Sequence, residues 1–186
     1  ELNQFLEVEY SDYYDLKYSK SMLSIFDIQQ KLSEEEVVLE YVLNETDSAS
    51  ELYTFIISNN EVQFNQQIVN NKFLESIESM FSFMSDPEYM FTTNKESITY
   101  CESAHHLFNI LIKPFYSNIQ NKQLTIVPDG KLSYIAFDGL LEELPDTSQT
   151  IKFDQLKYLI KNFSINYSNS SNLLFKLQSP SKNLKN

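Results

Sequence analysis

Arginine and tryptophan are absent, and 186 residues hold only two glycines, five prolines and one cysteine. All 14 basic residues are lysines; they face 26 acids, for a net charge of −12. A negative field without the planar guanidinium fork is unsuited to gripping phosphates or guanine edges, so nucleic acid is not an expected partner. Gly130 and Gly139 are too few for a glycine-rich phosphate loop. The single thiol, Cys101, excludes an internal disulfide and a multi-thiolate metal site, and fits a reducing, cytoplasmic setting. The longest apolar run, Leu107 to Ile112 with Asn109 inside it, is far short of the ~20 residues that span a bilayer, so no membrane partner is expected. No signal peptide is visible. The chain opens on Glu1 rather than Met and reads as a piece of a longer protein. No cofactor is expected.

What is present is apolar and aromatic. Apolar residues make up 42% and aromatics 14%, too much for a chain that stays unfolded. Residues 1–24 are rich in Tyr and charge and read as the end of an upstream segment or linker. Ser24 and Asp27 have the spacing of a capping box, predicting a short helix from about Asp27 to Leu32. Three antiparallel strands follow. Val37, Leu39, Tyr41 and Leu43 alternate in the first, 44–50 is a polar loop, and 52–57 is β-branched and aromatic. Asn59-Asn60 suits a tight turn, because Asn tolerates positive φ, and Val62, Phe64 and Ile68 alternate in the third.

Two helices come next. One carries Phe73, Leu74, Ile77, Met80, Phe81 and Met84, the other Ile98, Cys101, His105, Phe108 and Ile112. Asp86-Pro87 separates them and Pro114 closes the second. Leu124–Val127 reads as a strand buried in a parallel sheet, turned by Pro128-Asp129-Gly130. Leu132, Ile135, Phe137 and Leu140 return apolar groups to the core. A short helix is expected near Leu156 to Ile160, a strand through Phe163, Ile165 and Tyr167, and a last helix capped by Ser170 or Ser171 carrying Leu173, Leu174 and Leu177. Residues 179–186 form a polar, disordered tail. The fold class is α/β. Residues 34–51 hold seven acids and no lysine, and 152–186 hold six lysines and one acid, which gives solvated faces of opposite sign or a basic face for an acidic partner.

Few residues here carry chemistry. Cys101 and His105 are one helical turn apart, but a thiol on an apolar stripe is inert core more often than nucleophile. His105 and His106 point about 100° apart on a helix and cannot share an ion with Glu102 well; one half-buried and one solvated histidine is the expectation, with no metal. Asp129 and Asp138 flank the buried strand. Acids there line sites at the carboxyl ends of open α/β sheets, or, for Asp129, brace their own turn.

The order of motifs says more. The stretch from Leu124 through Pro128-Asp129-Gly130 and Leu132 to Ala136-Phe137-Asp138-Gly139-Leu140 resembles the signature of CHAT domains, caspase-like domains often found after tetratricopeptide repeats. In that signature a hydrophobic strand leads into Pro-Asp-Gly-x-Leu and then Pro-Phe-Glu-x-Leu. Leu107 to Pro114 is similar to the family's Leu-Tyr-x-x-Leu-Ile-x-Pro, and Tyr158 to Ser168 to its following strand. The resemblance spans about residues 25–177 within an expected domain of 25–178. It departs at Ala136 for Pro, Asp138 for Glu, and Gly139 beside it, which frees the turn and shortens the acid.

The resemblance implies an incomplete caspase-like α/β sheet, with its first two core strands, a three-stranded antiparallel meander and helices. It implies that the parent is a cysteine endopeptidase whose catalytic His and Cys lie beyond these residues. The chain would then be the N-terminal, non-catalytic half, inactive alone, giving support and part of the substrate cleft through Asp129 and Asp138. The implied partners are the C-terminal half of the same domain or a second copy, and a protein or peptide substrate. The alternative is a catalytically dead interaction scaffold. On this reading the strand Leu124–Val127 keeps an unpaired apolar edge, to be covered by a second chain, by another copy or by a rearranged chain end.

Overall fold

The computed structural model describes residues 23–46, 50–86, 94–171 and 174–175. The expected upstream segment before Leu23, Pro87, Leu173, Leu177 and the polar tail lie outside them.

Among the described residues the protein is a mixed α/β fold with one five-stranded open sheet. The strands are β1 (Glu36–Glu45), β2 (Ser50–Ser58), β3 (Val62–Val69), β4 (Gln123–Val127) and β5 (Ser164–Tyr167). Their order is β3-β2-β1-β4-β5. The meander β1–β2–β3 is antiparallel, as its alternation predicts, but it is no separate unit: β1 also pairs in parallel with β4, and β4 with β5.

The edge of Leu124–Val127 is not left to a second chain or another copy but is covered from within the chain. β5 of the same chain takes that place, with Leu124 opposite Ile165 and Ile126 opposite Tyr167. The free edge moves to β5, which is short, largely exposed and polar at Ser164 and Asn166, properties that blunt an edge against association.

The helices are α1 (Ile25–Gln29), α2 (Asn71–Ser85), α3 (Asn94–Leu111) and α4 (Tyr116–Ile119). The capping box is present. Ser24 Oγ accepts from Asp27 N–H at 3.2 Å and Asp27 Oδ2 accepts from Ser24 N–H at 2.9 Å. It starts α1 at Ile25, two residues before the expected point, and the helix ends at Gln29. A Pro128–Gly130 turn leads from β4 into a 3-10 turn at Gly130–Tyr134, where Gly130 has φ +53°, open to glycine. The expected helix near 156–160 is instead two 3-10 turns, Phe153–Gln155 and Leu159–Lys161, pinned by Leu159 N–H to Leu140 C=O at 2.9 Å and Glu142 N–H to Lys157 C=O at 3.0 Å.

Two positions of the meander differ from expectation. β1 runs on to Glu45, into the expected loop. Asn59-Asn60 turns without positive φ; among the described non-glycine residues that conformation belongs to Asn121, at φ 61°.

The sheet separates two apolar layers. On one face Val37, Leu39 and Tyr41 of β1, Leu52 and Ile56 of β2, and Leu124 and Ile126 of β4 meet α2, α3 and the turns after β4. Burying such chains stabilises by roughly 1.5–3 kcal/mol each relative to exposure. The smaller layer joins Val38, Ile57 and Val127 to Ile28 and Leu32 of the α1 region and to Phe175.

Both long helices are rotated from the expected stripes. In α2, Phe83 is buried and Phe81 and Met84 are exposed. Ser76 holds a core position because its hydroxyl donates back to the Lys72 carbonyl at 2.7 Å. In α3 the core line is Tyr100, Cys101, Ala104, Leu107, Phe108 and Leu111. The helix ends at Leu111, and Pro114 sits in the 3-10 turn Lys113–Phe115 that follows. Among the described residues no helix is long and apolar enough to cross a membrane.

Candidate functional site

β1, β4 and β5 run in parallel, so their carboxyl ends lie on one edge of the sheet. The chain leaves β1 toward β2 on one side and leaves β4 toward β5 on the other. Open α/β sheets bind ligands outside such carboxyl ends, where connections diverge. A cleft of about 1020 Å³ lies at the carboxyl ends of β4 and β5. It is lined by the turn Pro128–Gly130 and the end of β5, by Met84 and Tyr134, and by the polar residues Asp138, Ser168 and Asn169.

Both acids singled out from the sequence line this cleft. Asp129 does not cap its own 3-10 turn. Its Oδ2 accepts from the Leu43 N–H on β1 at 3.3 Å, tying the β4 turn to the neighbouring strand. Asp138 Oδ2 accepts from the Tyr167 hydroxyl at 2.5 Å. Burial and then this bond push the Tyr167 phenol well above its usual value. The cleft thus holds one acid turned toward the sheet backbone and one held by a tyrosine of its own chain. Tyr167 stands out in the sequence as an alternating strand residue; its pairing with Asp138 depends on the β4–β5 register and has no local signal.

The structure does not bring the remaining candidates to the cleft. Cys101 is fully buried on α3, and burial pushes its thiol up to about 11. The His105 ring nitrogen Nδ1 lies 3.0 Å from the Leu141 carbonyl. A carbonyl only accepts, so Nδ1 carries the proton and the ring is fixed against the segment after the cleft turn. His106 is half-buried too, not solvated as expected, and its Nε2 is buried without a hydrogen-bond partner. Burial first, then Lys72 and His105, lower its pKa. Among the described residues no cluster of three or more His, Cys, Asp or Glu stands ready for a metal.

No family model matches the chain, and no curated protein matches it.

Proposed function

We propose that this chain is the N-terminal, non-catalytic half of a caspase-like cysteine endopeptidase of the CHAT type. The observation that carries the reading is the cleft at the carboxyl ends of β4 and β5, with Asp129 and Asp138 on its lining. The motif that resembles the CHAT signature runs through that same edge, from Leu124 to Leu140. The parallel β4–β5 pair and the helices on the sheet are compatible with it. In this reading the chain forms one wall of a peptide-binding groove and supplies no nucleophile, which agrees with a buried, weakly acidic Cys101. The catalytic His and Cys come from residues outside this sequence, and the free edge of β5 is where the sheet is extended, by the C-terminal half or by a second copy. The mechanism of the assembled enzyme is thiolate attack on a peptide carbonyl, with His as base and then acid. The substrate is a protein or peptide.

One observation favours the scaffold reading. Asp138 stands where the resembled motif has Glu, and its carboxylate is already engaged by Tyr167. A protein that only binds partners has no need of a free acid there.

The two separate by reconstitution. The chain is mixed with the polypeptide that its gene encodes downstream, and peptide cleavage is measured with a general fluorogenic peptide mixture. Turnover that needs both parts, and that disappears when the downstream cysteine is replaced by alanine, supports the peptidase. A stoichiometric complex without turnover supports the scaffold, and failure of the parts to associate overturns both.

A further inference from the structure

Among the described residues the second face of the sheet is only half covered. α1 and the helical turn near Phe175 close over Val38, Ile57 and Val127. Farther along, Val42, Tyr53, Phe55, Phe64 and Ile68 share that face by register, and Phe64 and Ile68 are 56% and 76% exposed. β3 is built the wrong way round for a strand that merely edges a sheet. Gln63, Asn65 and Gln67 point toward the α2–α3 layer, and Gln67 must donate to the Ile110 carbonyl at 3.2 Å to be accommodated there. Phe64 and Ile68 point to the opposite face, away from α2 and α3, while Val69 at the end of the strand is buried in the main core. An edge strand with one covered face ordinarily places them the other way, since a one-residue shift would exchange the faces. The aromatic rings are also pre-packed: Phe64 lies 5.1 Å from Phe55 and 6.1 Å from Tyr53, centroid to centroid. Rigid aromatic anchors of this kind lose little entropy on binding.

Charge selects the occupant. Glu40 lies opposite Phe55 across the β1–β2 pair, and Glu51 opposite Ile68 across β2–β3. By register these two are the glutamates on the open face, in a chain of net charge −12 with no lysine between Lys31 and Lys72. A second copy would set this acidic face against itself, and an anionic lipid surface would be repelled. The covered half of the face is closed by helical segments, and a helix about 10 Å wide spans two strands spaced ~4.8 Å apart. We propose that the open half of this sheet face docks an amphipathic helix of another protein, with an apolar stripe flanked by Lys or Arg.

The probe is a synthetic 16-residue helix with Leu at positions i, i+3, i+4 and i+7 and Lys on the flanks, followed by fluorescence anisotropy against the full chain. Two controls keep the scaffold of the peptide: one exchanges the flanking Lys for Glu, the other exchanges Leu for Ala. The Lys-flanked Leu helix should bind, weaken as salt rises, and exceed each control by roughly tenfold or more. Phe64→Ser and Ile68→Ser should each weaken it by a similar factor. Both side chains are exposed, so the fold should persist, which the unfolding midpoint verifies; Glu51→Lys gives the same loss through charge should either variant unfold. The proposal is overturned if the Lys-flanked helix does not bind, if its Glu-flanked counterpart binds equally, or if the serine variants bind unchanged. It is also overturned if the chain forms a dimer that Phe64→Ser abolishes, which assigns the face to a second copy.

Discussion

The hydroxyl of Tyr167 donates to the Asp138 carboxylate, and the Asp138 backbone N–H returns a bond to the same hydroxyl oxygen at 3.3 Å. The pair joins the end of β5 to the 3-10 turn Phe137–Gly139, two segments 29 residues apart in sequence that both line the cleft. The Phe137 ring lies edge-on to Tyr167 at 6.3 Å and is itself buried against Tyr41 at 5.4 Å. The cleft wall is thereby coupled to the centre of the sheet.

Replacing Tyr167 by Phe removes the hydroxyl and keeps the ring. A bond to a carboxylate in a partly solvated site is worth about 1 kcal/mol, so a loss of that order is expected in urea unfolding, with an unchanged denaturant slope. The phenol is held above its usual value of 10.0, so its proton stabilises the native state below that pH. As pH climbs past 10, the unfolded chain loses the proton and the native one keeps it, and stability falls. The gap between the native protein and Tyr167→Phe should therefore narrow from pH 8 to above 10. A gap that widens rejects the pairing.

Gly139 tests why this turn departs from the resembled motif. Its φ is not positive, so the conformational freedom of glycine is not what the site uses. A Cβ there would meet Tyr100 Oη at 3.1 Å and Met80 Cε at 3.7 Å. Tyr100 cannot easily give way, because its hydroxyl donates to the Gly139 carbonyl at 2.8 Å and its ring stacks on Phe83 at 4.4 Å. Gly139→Ala should cost about 1–3 kcal/mol, as overpacking does. Gly130→Ala meets nothing within 4 Å, and its cost comes from φ +53° alone, about 1–2 kcal/mol. Gly130→Asn should recover much of the second loss, while Gly139→Asn should be worse than alanine. Thermal midpoints of the four variants decide it.

The legible parts of the fold were those written in local pattern. The capping box at Ser24 and Asp27, the alternation of β1, the short apolar run of β4 and the returning apolar groups Leu132, Ile135, Phe137 and Leu140 each appear where the sequence puts them. The misread parts needed tertiary facts. Phe81 and Met84 look like core because they are large and apolar, yet the core line of α2 runs through Ser76, a residue that reads as surface until its bond to Lys72 is seen. Val62, Phe64 and Ile68 alternate correctly, but alternation does not say which face is covered. In the cleft, Asp129 and Asp138 were visible as acids beside a strand end. Their partners Leu43 and Tyr167 lie 86 and 29 residues away and became neighbours only through the β1–β4–β5 register.

Cys101 offers a direct check on whether this chain carries a nucleophile. It has no exposed surface, and burial first, then the charge of Glu102, raises its thiol to about 11. Iodoacetamide at pH 8 should leave the native chain unmodified while labelling it within minutes in concentrated urea, with mass spectrometry as the readout. Rapid labelling of the folded protein would place an activated thiol on α3 and remove the case that any nucleophile must come from elsewhere.

His106 contributes a pH dependence on the acid side. Its Nε2 is buried and unpartnered, and burial, then Lys72 on α2 and His105 beside it, hold its pKa below the usual 6.5. The neutral ring is thus the native form. Above pH 6.5 it is neutral whether folded or not, and it contributes no slope. Below 6.5 the unfolded chain takes up a proton that the native chain resists, so stability falls as pH drops toward the lowered value. His106→Gln removes that proton and should flatten the decline below pH 6.5, whereas His105→Gln loses a bond to Leu141 and lowers stability. Urea midpoints at half-unit pH intervals separate the two. If the His106→Gln curve runs parallel to that of the native protein through this window, the imidazole is charging freely in the fold and Nε2 has found water.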